Sequence, residues 1–579
     1  MRKEGLIFFG VFVLVCLNFV SAAGLTPIAR WDVVPYQRIN FGETLNLGVV
    51  AFSREGIDRV EFIISGQGYS GGIKIATEMT LNSQTSVWEY WVPLSASEFS
   101  SDGVINVEAV VYGEDGGMRD KNSFSGGVNL DPGLNTLVLN VNPQMTLMQS
   151  EVWVNASGGN DNNPGTRDQP LATIGRAVRN LRDMGNNGNG GIVWLSPGIH
   201  NMNSSGSGNV YNDNEWITIK PVVLGRDKTI LQTSDKTLSH VKKIKVEGIK
   251  IKRMDFGDYA MLFQPPSLFQ NVSVWIDNCE IEGLGREVQE QRIMGNVKAY
   301  YTNSHIHDTR FPTDMGILAR SLNLTQVGED AFRNMPLIVN CNVDDIDRGN
   351  NTARHPDVWQ WVYSPEMNEE NIIAYNLRAS NCTYQGISNN NAIVGGQPSL
   401  IGKNIAFVNV HLNCTAGGYW ARWTDHLLLW HVSEIGGNFF FQQDYFKPGL
   451  QWFWSPVTNL SMKGCIFSKL KNYYNPTYGY VDWSDTENNH YAVPQGFSGD
   501  DLYVIAPGKN ATNGTIEIDS YGRPLFGSPL IDRLDENLVP IDADGNLRDS
   551  MGDIGAYEFI SGTQPQGNCM ITKAYWRIV

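Results

Sequence analysis

One short pattern recurs along this chain, first as Trp275-Ile276-Asp277-Asn278-Cys279-Glu280-Ile281. Each copy has apolar residues, an asparagine, and a further apolar residue three positions later. The asparagines that follow, spaced by 25, 37, 36 and 33 residues, are Asn303, Asn340, Asn376 and Asn409. Gly248 and His431 occupy the same position in neighbouring copies. An irregular period in this range is typical of solenoid coils whose loops vary in length.

The asparagine has a physical purpose in such a repeat. At a bend, its amide can hydrogen-bond the backbone of the turn and the equivalent side chains of the coils above and below. Leucine and alanine cannot do this. An ordinary β-sandwich also has closely spaced strands, but it does not need an asparagine at each repeat. The pattern therefore favours a β-solenoid over a sandwich for this part of the chain.

One helix is expected where the repeats begin. Ile174, Ala177, Val178 and Leu181 have the i, i+3, i+4, i+7 spacing of an apolar helix face, and Thr173 is suited to the N-cap. A solenoid exposes its core at an open end, so a short helix before the strands is suited to cover that end.

Both ends of the repeat region resemble a known family. Near its beginning, this region contains Val152-Trp153-Val154, then Gly165-Thr166, then Pro170-Leu171-Ala172-Thr173-Ile174. Together these segments resemble the start of right-handed parallel β-helix proteins of the pectate-lyase-like superfamily. Gly552-Asp553-Ile554-Gly555-Ala556-Tyr557-Glu558-Phe559 resembles their terminal signature. The resemblance implies an all-β fold with a right-handed parallel β-helix over residues 151–559. That superfamily includes lyases, hydrolases, epimerases and proteins that are not enzymes, so it does not select one reaction.

Three further regions flank the β-helix. Residues 1–23 are typical of a signal peptide, with Arg2 and Lys3 before an apolar run and Ser21-Ala22-Ala23 for cleavage. A membrane anchor is the alternative, but the run is short for a span. Alternating residues in 59–64 and 104–111 predict an immunoglobulin-like β-sandwich over 24–145. Residues 560–579 form a C-terminal tail.

The net charge of −16 argues against nucleic acid as a partner, because an acidic surface repels phosphate. We expect a secreted or cell-surface protein, monomeric, without a membrane span after signal cleavage, whose partner is a polysaccharide or other glycan. Of seven cysteines, Cys279, Cys341 and Cys465 come directly after the asparagine position. They are expected to stack as buried thiols, and a disulfide framework is the alternative.

If the coils stack in register, alternate residues beyond the asparagine point to solvent on strands about 4.8 Å apart. The first outward column then contains Lys250, Glu280, His305, Asn342, Arg378 and His411. The second contains Lys252, Glu282, His307, Asp344, Ser380 and Asn413. Acids, imidazoles and cations side by side are what proton transfer and anion binding require, although the outer face of any solenoid is polar.

A sharper motif is His355-Pro356-Asp357-Val358-Trp359-Gln360. This H-x-D-x-x-Q run resembles a motif of the same family, where it lies on the sheet that lines the groove. The alternative is a buried structural pair. The predicted catalytic residues are His305, Asp344, His355, Asp357, Arg378 and Arg422. The predicted substrate-binding residues are His307, Trp359, Gln360, Gln385, Trp420 and His426.

These residue types suit three reactions. A lyase needs a base and a cation, such as His355 with Arg378 or Arg422. A hydrolase needs two carboxyl groups, such as Asp357 and Asp344, and an epimerase needs an acid and a base on opposite faces of the sugar. Asp344, Asp345 and Asp347 are weak candidates for a Ca²⁺ site. Asn278 stands where a pectate lyase would have histidine, so no specific pectinase is indicated.

The sequence therefore predicts a secreted carbohydrate-active enzyme, a polysaccharide lyase or a glycoside hydrolase, with a groove along the β-helix. A non-catalytic glycan-binding or adhesion protein of the cell surface is the alternative.

Overall fold

The computed structural model describes most of the chain outside the first 23 residues. The described residues are 24–123, 133–145, 149–184, 190–202, 210–233, 241–253, 272–285, 297–314, 316–349, 355–362, 370–390, 393–394, 397–398, 402–415, 417–421, 424–436, 439–441, 457–468, 470–472, 481, 483–492, 508–519 and 521–560. The predicted signal peptide lies outside them.

The first part of the chain forms two sheets around a shared apolar core. The strands of one sheet are Ile28–Trp31, Thr44–Phe52, Val87–Ser95 and Thr80–Asn82. The strands of the other are Arg38–Asn40, Leu137–Asn142, Gly103–Gly113, Ile57–Gly66, Lys74–Ala76 and Met118–Arg119. A 3-10 turn lies at Ala96–Glu98. We call this unit the sandwich.

Three parallel sheets form the body of the molecule. The first consists of Glu151–Val154, Gly191–Leu195, Ile217–Pro221, Lys243–Glu247, Val272–Asp277, Val297–Thr302, Gly316–Arg320, the start of Leu337–Ile346, the start of Glu370–Cys382, Gly402–Val408, Thr424–Trp430, Val457–Lys463 and Asp485–Glu487. The second consists of Gly198–Asn201, Thr229–Thr233, Lys250–Arg253, Glu280–Glu282, His305–Thr309, Asn323–Val327, the ends of Leu337–Ile346 and Glu370–Cys382, His411–Cys414, Ser433–Ile435, Ile466–Phe467, His490–Tyr491 and Thr512–Asn513. The third consists of Thr313–Asp314, Phe332–Arg333, Asp357–Val362, Gln385–Asn390, Gly417–Ala421, Phe439–Phe441 and Leu470–Asn472.

Successive coils add one strand to the first and second sheets, and coils from Thr313 onward also add strands to the third, which confirms the all-β class and the parallel β-helix. Inward side chains are apolar and stack in register, as Ile244 does with Val274 and Phe332 with Trp359. A separate antiparallel pair joins Ile393–Val394 to Gln397–Pro398.

The asparagine ladder lies at the bend between the first and second sheets. All five asparagines adopt left-handed backbone conformations with φ of 51–53°, which asparagine tolerates better than most residues. The Asn376 amide donates to Asn340 Oδ1 at 2.8 Å, and the Asn409 amide donates to Asn376 Oδ1 at 3.0 Å. The bend is therefore confirmed at all five positions and the side-chain ladder at Asn340, Asn376 and Asn409, whereas the Asn303 amide donates to Asp277 Oδ1 at 3.0 Å.

The predicted coil count was wrong at one place. Ser321 takes the ladder position between Asn303 and Asn340, with a φ of 54°, so the spacing of 37 residues contains two short coils. Serine is not part of the asparagine pattern, which hid this coil. Its outward residues Asn323 and Thr325 lie between the predicted members of the two columns.

The expected helix is confirmed at Ile174–Asp183. Thr173 caps it by accepting a hydrogen bond from the Arg176 amide at 3.2 Å. The predicted apolar face packs against the first coil of the β-helix. No helix among the described residues is long and apolar enough to cross a membrane.

The sandwich packs on the outer face of the first sheet. That face is apolar, and its aromatic rings contact the sandwich: Phe52 lies 5.3 Å from Tyr375 and 6.2 Å from Trp430 between ring centroids. The Trp216 indole donates to the Pro35 carbonyl at 2.7 Å. The sandwich therefore covers much of the length of the first sheet among the described residues, and that covered part is not open to a polysaccharide.

The C-terminal segment, residues 521–560, covers the later coils of the second sheet. Arg378 pairs with Asp544, and the His411 ring lies 5.4 Å from that of Tyr557. Arg548 is buried, and it reaches the ladder at Asn409 Oδ1, 3.1 Å away. The earlier coils of the second sheet lie outside these contacts.

The five described cysteines are buried thiols. Cys279, Cys341 and Cys465 share the expected inward position, but other residues separate them. Cys341, for example, is opposite Leu377 on the next coil. The expected thiol-on-thiol stack is therefore wrong for these three, although their burial is confirmed.

Candidate functional site

The two predicted columns lie on the outer face of the second sheet. Lys250 is opposite Glu280, Glu280 is opposite His305, and Asn342 is opposite Arg378. Since neighbouring strands are hydrogen-bonded in register, residues that are 25 to 36 positions apart in sequence become adjacent in space.

The most chemically varied part of this face is a group that we call the histidine cluster: Glu280, His305, His307, Asp308 and Thr325. The two imidazole rings stack with centroids 4.7 Å apart. His307 contacts Asp308 through Nδ1 at 2.7 Å and Glu280 through Nε2 at 3.3 Å. His305 Nε2 lies 3.0 Å from the Thr325 hydroxyl. All five side chains are partly exposed.

Burial and the neighbouring His307 lower the pKa of His305 to about 4, so its ring is neutral at pH 7. Burial opposes ionisation of Glu280, but hydrogen bonds from Lys250 and His307 outweigh it and lower the pKa of that carboxyl. The cluster thus combines a neutral imidazole, which can accept a proton, with an ionised carboxylate.

Cations flank the cluster on the preceding coil. Lys250 contacts Glu280 at 2.7 Å and Glu282 at 2.8 Å, and Lys252 contacts Glu282 at 2.7 Å. Hydrogen bonds from both lysines lower the pKa of Glu282 to about 2. These side chains are 20–42% exposed, so they form a charged, solvent-facing surface.

Arg226 completes this surface and was missed in the sequence. Its guanidinium donates to Asn278 Oδ1 at 2.7 Å and to the Asn303 carbonyl at 3.1 Å, so two ladder positions hold it. The positive charge of Arg226 also lowers the pKa of His305, but by less than burial and the neighbouring His307 do. Arg226 lies in a turn outside the repeat, so no signal in the pattern could have found it.

Asp344 lies on the same face, two coils beyond His307 through Thr325. Its Oδ1 accepts hydrogen bonds from Ser380 at 2.9 Å and from Asn381 at 2.7 Å. Asp347 accepts from Thr383 at 3.2 Å. Within the described ranges, no group of three His, Cys, Asp or Glu side chains is placed to hold a metal ion.

His355 lies at the corner between the second and third sheets. It is exposed, and its ring lies 5.0 Å from that of Tyr384. The Arg348 guanidinium lies 5.7 Å from the centroid of the Tyr384 ring. This corner adjoins Asp344 through Ser380 and Asn381, so His355 borders the same surface as the histidine cluster.

Asp357 and Trp359 point into the β-helix. Trp359 is 3% exposed and packs edge-on against Phe407 at 5.7 Å, so its ring is not available to a sugar. Asp357 is fully buried, and no donor meets the geometry of a hydrogen bond to either carboxylate oxygen. Burial raises the pKa of Asp357 well above its ordinary value, and the Gln360 amide offsets this only in part.

The other predicted residues are dispersed. Gln360 is partly exposed on the third sheet, whereas Gln385 is buried opposite Asp357. Arg378 pairs with the C-terminal segment. His426 is buried at the side of the first sheet, where its Nδ1 contacts Asn404 at 2.8 Å. The Trp420 side chain and all of Arg422 lie outside the described residues.

No protein-family model matches the sequence, and none of the curated proteins is similar to it. Several solved structures, including the following three, are similar to the chain. The A-module of the mannuronan C-5 epimerase AlgE6 from Azotobacter vinelandii is 12% identical, with 62% of this chain and 98% of that chain covered and a TM-score of 0.33. The GH136 lacto-N-biosidase from Eubacterium ramulus is 11% identical, with 63% and 68% covered and a TM-score of 0.27. Dex49A from Penicillium minioluteum is 12% identical, with 73% and 77% covered and a TM-score of 0.25. The fold assignment rests on the strand pairing of the chain itself.

Proposed function

We propose that the protein is an exported carbohydrate-active enzyme that binds a polysaccharide along the outer face of the second sheet. The histidine cluster is the observation that supports this most. It places two imidazoles and two carboxylates on consecutive coils, and all four side chains are partly exposed. Coils follow each other at about 4.8 Å, so an extended glycan along the helix axis would contact several coils in succession. Export follows from the signal peptide predicted at residues 1–23.

Proton abstraction suits the cluster better than acid-catalysed hydrolysis. His305 is unprotonated at neutral pH, as a general base must be, and its pKa of about 4 makes it a weaker base than an ordinary imidazole. A hydrolase needs an accessible protonated carboxyl, but the pKa values of Glu280 and Glu282 are lowered. Asp357 favours the protonated form, but it is fully buried. We therefore prefer a lyase to a hydrolase.

In this scheme His305 removes the C5 proton next to the carboxyl of a uronic acid residue, the C4–C5 double bond forms as the C4–O glycosidic bond breaks, and the departing oxygen takes a proton from water. The cations Lys250 and Arg226 border the cluster, and they would offset the negative charge that develops on that carboxyl. His307, between Glu280 and Asp308, would position the neighbouring ring. The corner at His355 and Tyr384 offers an aromatic surface for a further sugar.

The test is to incubate the purified protein with a panel of uronic acid polymers and neutral glycans. Unsaturated ends, followed by ultraviolet absorbance, would indicate a lyase, and reducing ends without unsaturation would indicate a hydrolase. His305→Ala should lower the rate by about 10²–10⁴-fold, the usual contribution of a general base. Asp102→Asn is the control, because this side chain is exposed in a loop of the sandwich. Full activity in a His305→Ala/His307→Ala double variant would refute the assignment.

A non-catalytic glycan-binding or adhesion protein is the second proposal. The observation in its favour is that Lys250 and Lys252 are both paired with Glu282. Such paired charges can hydrogen-bond sugar hydroxyls without transferring a proton. Glycan binding that is lost in the double variant, with no product from any glycan, would favour it over the enzyme.

A further inference from the structure

Two of the buried cysteines differ from the other three. Cys382 ends a strand of the second sheet, and Cys414 ends the strand of the next coil, directly opposite it. Their exposures are 1% and 0%. The strands shift register between Ala379 and Cys382, so the two residues meet at an irregular point of the ladder.

The two thiols also interact. A hydrogen bond with Cys382 is the main cause that raises the pKa of Cys414, ahead of burial. Backbone carbonyls also accept from the cysteine thiols, such as Ser380 for Cys382, Leu429 for Cys465 and Val339 for Cys341, so the opposed second thiol is what sets Cys382 and Cys414 apart. A single cysteine pair on adjacent coils is therefore present among the described residues, next to three unpaired ones.

We infer that Cys382 and Cys414 form a disulfide that links two successive coils when the chain folds in an oxidising compartment. Directly opposed strand residues lie about 4.8 Å apart, which is within the Cα–Cα range of about 4.4–6.8 Å for disulfides. The three other cysteines have no opposed thiol, so they remain reduced. This inference rests on the proposed export and is independent of the proposed enzymatic activity.

The reaction is an exchange with a small-molecule or protein disulfide. The thiolate of one cysteine attacks the oxidant, forms a mixed disulfide and releases one thiol. The second cysteine, as thiolate, then displaces the other half of the oxidant and closes the Cys382–Cys414 bond. The protein loses two protons and two electrons, and the oxidant becomes two thiols. Because both sulfurs are buried in the folded protein, the exchange takes place before the two coils close.

The crosslink would fix the corner at which the second sheet passes to the third. Tyr384, which contacts His355, follows Cys382 by two residues. The backbone on either side of Tyr384 is held, because the Thr383 amide donates to the Ile346 carbonyl and the Gln385 amide donates to the Pro356 carbonyl. A covalent link at Cys382 therefore limits movement of the surface that borders the histidine cluster.

The test is differential alkylation of the full chain after secretion from an oxidising compartment. The protein is unfolded without reductant, alkylated, digested and analysed by mass spectrometry. We expect Cys279, Cys341 and Cys465 to be alkylated, and the peptides of Cys382 and Cys414 to be recovered linked, with a mass two hydrogens below their sum. Alkylation of Cys382 and Cys414 to the extent of the other three would overturn the inference, as would a link from either one to Cys569.

A second measurement uses stability. Reductant should lower the urea midpoint of the wild type by about 0.5–1 M, the scale expected for opening a loop of roughly thirty residues. The Cys382→Ser/Cys414→Ser variant should show no such response, and Cys341→Ser should respond like the wild type. A wild type that is insensitive to reductant in urea would contradict a crosslink.

Discussion

Arg320 is the most informative residue to remove at the junction of the sandwich and the β-helix. Its guanidinium, 7% exposed, donates to Asp32 Oδ1 at 2.9 Å and to the Asp32 carbonyl at 2.8 Å. Asp32 and the nearby Glu89 are both fully buried. Each carboxylate has one buried oxygen without a hydrogen-bond partner. One cation thus stands against two buried acids.

Replacement by methionine keeps most of the volume and removes the charge. Removing one partner of a buried ion pair costs about 3–5 kcal/mol, because the other charge is left without compensation. We expect Arg320→Met to lower the free energy of unfolding by that amount at pH 8. Arg59→Met is the control, since its ion pairs with Asp58 and Glu61 lie at the surface of the sandwich, and little change is expected there.

The loss should depend on pH in a defined direction. Burial raises the pKa of Asp32 to about 6 even with Arg320 present, and burial followed by the charge of Asp32 raises the pKa of Glu89 well above its ordinary value. The folded state therefore binds protons more tightly than the unfolded state. The stability contribution of these carboxyls is full below about pH 4 and is lost as the pH rises through the folded pKa values. The contribution of these two carboxyls to stability should therefore fall from pH 5 to pH 8, and the deficit of Arg320→Met relative to the wild type should be larger at pH 8 than at pH 5.

Urea unfolding, followed by tryptophan fluorescence at pH 5 and pH 8, measures both effects. The double variant Asp32→Asn/Arg320→Met removes the uncompensated charge and should recover much of the loss at pH 8. An equal loss for Arg320→Met at both pH values, or a double variant no more stable than the single one, would refute this account of the junction.

Three further predictions concern the β-helix. Asn376→Ala removes the side-chain ladder contacts and places alanine at a φ of 53°. We expect it to lower the free energy of unfolding, measured with urea, by about 1–3 kcal/mol. Asn376→Gly should lower it less, because glycine tolerates this φ. Gly386→Ala would place a Cβ 2.2 Å from the Gly418 carbonyl oxygen, which should cost about 1–3 kcal/mol; Gly72→Ala, with open space around it, should be neutral. Thr173→Ala should cost about 0.5–2 kcal/mol through loss of the N-cap, and a thermal midpoint equal to that of wild type would contradict the capping role.

The architecture of the β-helix could be predicted because its determinants are local and repeated. An asparagine at φ near 50° and an apolar residue three positions later specify a bend and the start of an inward-facing strand, whatever follows in the loop. Register alone then predicted that Lys250, Glu280 and His305 lie opposite one another on successive coils, and the structure confirms this. The coil at Ser321 was missed because serine can adopt the same bend without belonging to the pattern.

The accessibility of the site depended on contacts that no local pattern encodes. Arg378 and His305 belong to the same column, yet Arg378 is paired with Asp544, 166 residues later in the chain, while His305 remains partly exposed. Trp359 was predicted to contact substrate, but strand parity directs it into the core.

The sequence by itself thus determined the coil, the ladder and the order of residues along each face, since these depend on short-range backbone geometry. Only the tertiary structure decided which face the sandwich covers, which coils the C-terminal segment closes and which charges remain in solvent. Those outcomes depend on the packing of surfaces that are distant in the chain, where the free energy comes from burying complementary areas and not from any one residue.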